Sequence, residues 1–367
     1  SVMRETRAAV CIEAGAPLQL RTLQLTPPGP DEVLVEIRAS GLCHSDLHQM
    51  NGSSTPYPFP VVLGHEGAGV VLECGSAVSD IRVGDHVIPL SIAECGVCRN
   101  CLSGKTNLCE VFLPTIGKGD SHFLLDGKPI PAYAGLGTFA NHMVLKAINV
   151  ARIPREVPFD VACYVGCGVS TGVGAVLHTA RVERGATVAI FGLGGIGLNV
   201  VQGARLAGAS RIIGIDTNPR RETVARRFGV TDFIDPAQVE DDLVARLRAM
   251  TDGGVDYSFE CVGSTDLMRQ ALDCTRPGWG VSVVIGMAPD GAALHADPFT
   301  LMLGRTWKGS FLGNVKTRSQ LPGLLDEYLA GRLDLDSLIT HRLPLADINR
   351  GFELMRQGEC IRTVVIF

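Results

Sequence analysis

The chain lacks a strong charge of either sign and a clean apolar run. Its 33 Lys and Arg stand against 38 Asp and Glu, a formal charge of -5 with a pI near 6.0. That balance gives no electrostatic basis for binding nucleic acid or an anionic membrane, so a small molecule is the expected partner. The longest weakly polar stretch, VACYVGCGVSTGVGAVLHTA from Val161 to Ala180, contains several glycines, two cysteines and His178. Such a composition suits close helix packing beside a site better than a lipid-facing span, and no membrane partner is expected. The opening SVMRETRAAV is polar, and CIEAGAPLQL is too short and mixed for the apolar region of a signal peptide. A cytoplasmic location and reduced cysteines follow as expectations. No internal repeat or low-complexity segment stands out.

What the chain does have is length, 367 residues with a hydrophobic share of 46%, which makes two domains the first expectation. Up to about residue 150 the sequence reads as short strands. Apolar runs such as EVLVEIRASG, GAGVVLECG and GDHVIPL are separated by Pro and Gly signals at PPGP, STPYPFP and Gly84-Asp85. The stretch from Val111 to Gly137 shows little periodicity and reads as a long surface excursion. From about residue 170 strand and helix patterns alternate: ATVAIFG, GLNVVQGARLAG, RIIGID, PRRETVARRFG, then DYSFECVG and GVSVVIGM. Repeated βαβ units predict a parallel sheet covered on both faces, an α/β doubly wound domain. After Phe311 the pattern is mixed, with helices at LPGLLDEYLAGR and ADINRGFELMRQG and a last apolar strand, IRTVVIF, expected to rejoin the first domain.

Of the 12 cysteines, Cys95, Cys98, Cys101 and Cys109 fall in CGVCRNCLSGKTNLC. The C-x2-C-x2-C-x7-C spacing offers four soft ligands to one tetrahedral ion, which fits a closed structural zinc site in a lobe of about residues 92–112. An iron–sulfur cluster is the weaker alternative, because the ferredoxin run usually closes with C-x3-C-P. A disulfide cluster would need an oxidising compartment. The remaining cysteines are scattered, and the ordinary reading of each is a small buried hydrophobe. Cys43 and Cys167 are set apart below.

Gly192-Leu193-Gly194-Gly195-Ile196-Gly197 is a G-x-G-x-x-G string, weak alone in a chain with 43 glycines. Its setting gives it weight, since it follows the strand TVAIF and opens a helix. The first glycine permits the tight turn, the second lets backbone approach a pyrophosphate, and the third allows close helix packing. The next strand ends in Asp216, placed to bond the adenosine ribose hydroxyls and to favour NAD over NADP. Arg220 and Arg221 complicate that preference, and a plain turn role before Thr217-Asn218-Pro219 is the alternative for Asp216.

Two further motifs, Cys43-His44-Ser45-Asp46-Leu47-His48 and Gly64-His65-Glu66-Gly67, precede the cysteine cluster. With that cluster and the glycine fingerprint in this order, the chain resembles the zinc-containing medium-chain alcohol dehydrogenases over nearly its whole length. The resemblance implies a β-rich GroES-like catalytic domain over 1–170 and 312–367, and a Rossmann coenzyme domain over 171–311. It implies two zinc ions per subunit, NAD and a homodimer. The catalytic zinc would be held by Cys43, His65 and Cys167, a ligand set that general zinc chemistry already associates with alcohol dehydrogenase.

The resemblance also distributes roles. Ser45 would bond the substrate oxygen and His48 would pass the proton outward. Asp46 and Glu66 would support the metal from behind. His44, Arg221 and Arg362 would join the coenzyme site with Asp216, and Thr171 would neighbour the nicotinamide. Ser91, Tyr133, Phe139 and Met287 would line the substrate pocket. Members that oxidise the glutathione adduct of formaldehyde carry an arginine after the fourth cluster cysteine and acids before GHE. Here those positions hold Leu113, Ser54 and Pro56. The expectation is therefore an alcohol dehydrogenase for uncharged primary or secondary alcohols, medium-chain or benzylic. The alternatives are a formaldehyde dehydrogenase dependent on another small thiol and, from a different class, a nucleotide-binding scaffold without catalysis.

Overall fold

The structure is a computed structural model that describes residues 2–118 and 121–367. The chain forms two compact units, one of residues 1–167 and 316–367, the other of residues 168–315. The boundaries differ from those expected at 170/171 and 311/312, and local packing explains the later return. The turn Leu312–Asn314 stacks on the helix Ser170–Gly174, so closely that a Cβ on Gly313 would lie 2.0 Å from the Ser170 carbonyl oxygen.

The discontinuous unit is built on two sheets. In the larger one the strands run in the order Val150–Arg152, His86–Pro89, Glu66–Cys74, Glu32–Gly41, Arg362–Ile366, Ile339–Pro344, with His142–Lys146 also paired to Glu32–Gly41. The last strand of the described chain thus sits inside the sheet: Val364, Val365 and Ile366 face Gly41, Ser40 and Ala39 in antiparallel register. Alternation makes this possible, because Val33, Val35 and Ile37 bury one face of their strand against Val71, Val87 and Met143. The smaller sheet runs Val61–Val62, Arg4–Cys11, Gln19–Leu25, Phe123–Leu125, Lys128–Pro129. The last two strands correct the expectation of a featureless excursion over 111–137. Phe123, buried in the core, gives that segment an apolar anchor. Residues 119 and 120 of the segment lie outside the described residues.

The second unit is a six-stranded parallel sheet in the order Asp232–Ile234, Arg211–Ile215, Thr187–Phe191, Tyr257–Glu260, Val281–Val284, Thr306–Gly309. Numbered along this unit, that is 3-2-1-4-5-6, the dinucleotide-binding arrangement, in which the strand order reverses beside the first strand. Ala189, Phe191, Ile213 and Ile215 pack with Leu243, Leu247 and Ala271 of the flanking helices. Each large side chain so buried contributes about 2 kcal/mol of hydrophobic stabilisation.

The apolar stretch that raised the membrane question lies within a continuous helical run, Phe159–Ala180. By length and composition it could cross a membrane, yet 78% of its most apolar window is buried inside the protein. Burial on that scale is what a helix in a protein core shows.

Candidate metal and coenzyme sites

The first metal-ligand candidate, Cys43, is the N-cap of a short helix, His44–Asn51. Asp46 closes the turn: one carboxylate oxygen accepts the Cys43 N–H at 3.3 Å, and the other accepts the Gly64 N–H at 3.1 Å. This is a capping box with cysteine in the usual Ser/Thr place. It ties the Cys43 loop to the GHE turn, so a local rule of helix starts also sets the separation of Cys43 and His65. Gly64 holds a positive φ of 95°, and a Cβ there would lie 2.6 Å from the Phe139 backbone nitrogen. Glycine is required.

Cys167 arrives from the run Phe159–Ala180, at a point where the α-helix widens into a π-helical turn, Val165–Val169. Such turns are frequent at functional sites. The donor atoms of Cys43, His65, Glu66 and Cys167 all lie within 4.8 Å of one another. The Cys43 and Cys167 thiols share a hydrogen bond that holds Cys43 well below the ordinary thiol range, while the same contact and burial push Cys167 up. Burial works against a charge on His65, but Asp46, 3.4 Å from its Nδ1, and Cys43 raise its pKa. Two thiols and an imidazole crowded so closely fit a soft divalent ion, whose binding displaces the thiol protons.

Behind the ligands lies a buried ion pair. Glu66 is hydrogen-bonded through Oε1 to the Arg362 guanidinium, and both residues are almost wholly excluded from solvent. Burial pushes the Glu66 carboxyl up to about 7, against the pull of Arg362. Arg362 lies 5.0 Å from the centroid of the Tyr164 ring, whose hydroxyl donates to the Leu335 carbonyl at 2.8 Å. The geometry therefore assigns Arg362 a task that sequence reasoning missed, the counterion of Glu66. Only the register of the C-terminal strand reveals it.

Ser45 stands over the donors, its Oγ 3.4 Å from Cys43 Sγ and 3.5 Å from His65 Nε2. His48 lies one helical turn on, half-buried, with Nδ1 3.1 Å from Ser53 Oγ, and His44 is exposed. Tyr133 packs its ring 5.4 Å from that of His65 and 5.1 Å, edge-on, from Tyr57. The other pocket candidates part company. Phe139 is completely buried in a core with Phe352, 6.0 Å between ring centroids, so its expected place in a substrate pocket is corrected. Its backbone braces the GHE turn by donating to the Leu63 carbonyl at 3.0 Å. Ser91 lines a cavity of about 410 Å³ with Leu90, Phe112, Ile116, Ala134 and Leu136. Met287 is 63% exposed on the second unit.

The four-cysteine cluster is brought together as its spacing implied. Cys95, Cys98, Cys101 and Cys109 present their sulfurs within 4.8 Å of one another. Backbone N–H groups of Cys98 and Cys101 point at the sulfurs of Cys95 and Cys98 at 3.2 and 3.3 Å. These donors would stabilise thiolate charge, and the four sulfurs could together hold a structural zinc.

In the second unit, Gly192 has φ +99°, and a Cβ on Gly197 would lie 1.7 Å from the Gly192 carbonyl oxygen. By contrast a Cβ on Gly194 would meet nothing within 4 Å. The open side of Gly194, at the uncapped N-terminus of the helix Gly195–Leu206 that includes Ile196, can receive a phosphate. Asp216 accepts the Leu193 N–H at 2.8 Å and the Asn218 N–H at 2.7 Å, which fixes its carboxylate at the end of its strand. Arg221 opens the following helix, and Thr171 is buried in its own.

The pattern for an alcohol dehydrogenase GroES-like domain matches residues 29–155, and that for a zinc-binding dehydrogenase matches residues 195–330. A class-3 alcohol dehydrogenase of Cereibacter sphaeroides is 50% identical over 99% of this chain and 100% of its own length. The chain belongs to the zinc-containing medium-chain alcohol dehydrogenases. An S-(hydroxymethyl)glutathione dehydrogenase of Paracoccus denitrificans is 49% identical over 99% of this chain and 100% of its own length. Among solved structures, a zinc-binding alcohol dehydrogenase domain protein from Burkholderia ambifaria has a TM-score of 0.93 at 33% identity, with both chains fully covered. Benzyl alcohol dehydrogenase from Acinetobacter calcoaceticus has a TM-score of 0.90 at 29% identity, covering 99% of each chain. The GroES-like and Rossmann architecture, zinc at two sites and NAD as coenzyme stand as family properties that the donor sets and the glycine turn fit.

Proposed function

We propose that this dehydrogenase oxidises the hydroxymethyl adduct of formaldehyde with a small thiol, passing hydride to NAD. The observation that carries the reading is the near-half identity, end to end, to relatives named for S-(hydroxymethyl)glutathione oxidation. It favours the thiol-dependent alternative over the uncharged alcohol expected first from Leu113, Ser54 and Pro56. Those three positions still bear on which thiol. None offers the charge that would pair with glutathione, so a thiol with a different charge pattern suits the site better.

In this reading Cys43, His65 and Cys167 would hold zinc, which would supply Lewis acidity at the substrate oxygen. Ser45 would accept a hydrogen bond from the substrate hydroxyl and, on taking its proton, pass its own hydroxyl proton on, with His48 as the outward acceptor, its imidazole in contact with Ser53. Glu66 and Arg362 neutralise each other beneath the ligands and keep the donor set in place. Tyr133 and Tyr57 wall the site with rings that exclude water. Within the second unit, Thr171 and Arg221 would border the coenzyme.

A second reading, oxidation of uncharged primary alcohols such as benzyl alcohol, is supported by the same three positions and by the likeness to benzyl alcohol dehydrogenase. NADH formation measured with formaldehyde, with and without a panel of low-molecular-weight thiols, and with benzyl alcohol alone, separates them. Strict dependence on an added thiol supports the first. Equal or faster turnover of benzyl alcohol overturns it in favour of the second.

A homodimer in the cytoplasm accompanies either reading. Thr306–Gly309 is an edge strand of the parallel sheet, and Phe299, Leu301, Met302 and Leu303 are exposed just before it. An open edge beside an apolar patch is the kind of surface a second copy covers. Light scattering after size exclusion tests the dimer.

A further inference from the structure

The four-cysteine lobe is hydrogen-bonded to the start of the helix Thr317–Leu329. That helix has no side-chain cap of its own at Lys316. Glu94, the residue before Cys95, supplies it from a distance. Its Oε1 accepts the backbone N–H groups of Arg318 and Ser319, each at 3.1 Å, and its Oε2 accepts the Ser319 hydroxyl at 3.0 Å. Thr317 Oγ1 donates to the Ile92 carbonyl at 3.3 Å, and Lys316 Nζ donates to the Cys101 carbonyl. A carboxylate at a helix N-terminus satisfies orphan donors and opposes the helix dipole, so this junction is held by charge as well as by hydrogen bonds.

Lys316 is also the residue at which the chain returns from the second unit. Immediately before it, Val315 is fully buried, and Gly313 and Val315 press on the helix that follows Cys167. A Cβ added to Gly174 would lie 2.5 Å from Val315 Cγ2 and 2.6 Å from the Gly313 carbonyl oxygen. Gly174 and Ser170 ride on the same continuous helical run, Phe159–Ala180, that presents Cys167 to the donor set. Closely packed backbone of this kind transmits displacement, because no side chain is present to absorb it.

We propose that Glu94 is a positioning residue for the catalytic metal ligand Cys167. It acts through the capped start of Thr317–Leu329, the buried Gly313–Val315 segment and the helix on which Cys167 rides. The lobe is then more than a local staple. Its attachment sets where one thiolate of the distant donor set stands, whatever alcohol the protein oxidises.

The test uses the holoenzyme carrying Glu94→Ala and, as a gentler variant, Ser319→Ala. Cobalt is exchanged into the catalytic site, and its thiolate charge-transfer band and its release to a chelator are followed, with lobe metal content counted in parallel. A displaced supporting group of this type costs about tenfold in metal affinity. The expected result is release from the catalytic site about tenfold faster in Glu94→Ala, with a shifted cobalt band and the lobe metal retained. Ser319→Ala should move both in the same direction by less. Gly313→Ala, which enters the path from the other side, should shift the same band without touching the lobe. The proposal is overturned if folded variants at Glu94 or Ser319 alter only thermal stability or lobe metal, leaving the catalytic-site band and release rate as in the parent.

Discussion

The two sulfur-rich sites differ in how the chain assembles them. The lobe draws four ligands from the single segment Cys95–Cys109, and its nearest polar groups are backbone amides. The other set draws Cys43 from a helix cap, His65 from a glycine turn and Cys167 from a widened helix, and places Asp46, Glu66 and Arg362 behind them. A site built from one segment can close around its ion and finish. A site built from three elements keeps a face open and can be tuned from behind, at the cost of needing the whole unit to form it.

The contrast can be broken most sharply at Cys43. Replacing Cys43 with Ala removes one of three ligands, and NADH formation should fall to background while circular dichroism and the unfolding midpoint stay close to the parent values. Retained turnover would refute the assignment. The lobe should behave in the opposite way. Cys101→Ser should cost about 4 kcal/mol of stability, the scale of losing a structural metal, which lowers the midpoint by roughly 10 °C in a domain of this size. Turnover per catalytic zinc measured in the cold should survive better than in Cys43→Ala, and equal loss in both variants would erase the distinction.

Arg362→Met tests the support behind the open site. It leaves Glu66 buried without its counterion, a change worth about 3–5 kcal/mol, and zinc retention should weaken by about 10- to 100-fold. Chelator titration reads this directly, and the paired variant Glu66→Gln with Arg362→Met should recover part of the stability. A double variant no better than the single one would argue against the pairing. The smallest effect is expected at Tyr133. Tyr133→Phe keeps the ring against His65 and should change kcat/KM less than about threefold, whereas Tyr133→Ala opens the wall and should cost about 2 kcal/mol or more in stability.

The same contrast explains what could be read in the sequence. The lobe was legible because its ligands are neighbours in sequence, and the fingerprint because Gly192, Gly194 and Gly197 each answer a separate backbone demand within one turn. The alternation of strands and helices after residue 170 was legible from periodicity. Cys43, His65 and Cys167 were legible only through resemblance, since no local pattern links a cap, a turn and a helix so far apart. Phe139 was misplaced because an aromatic beside a site motif faces either pocket or core, and strand pairing decides which. The pairing of Arg362 with Glu66 escaped because it is brought about by sheet register, which spacing along the chain does not encode. The segment 111–137 looked featureless because its strands, Phe123–Leu125 and Lys128–Pro129, are too short to show a period.

The placement of Arg362–Ile366 within the larger sheet has a consequence for synthesis. All seven candidate zinc ligands and both ends of the coenzyme unit precede this strand in the chain. The continuous unit, residues 168–315, can fold while translation is still under way, in keeping with domain-wise folding during synthesis. The catalytic half must wait, with Glu66 facing a gap where its counterion will be. Completion of the sheet and neutralisation of that buried carboxylate are therefore one event, which follows synthesis of the other strands of that sheet.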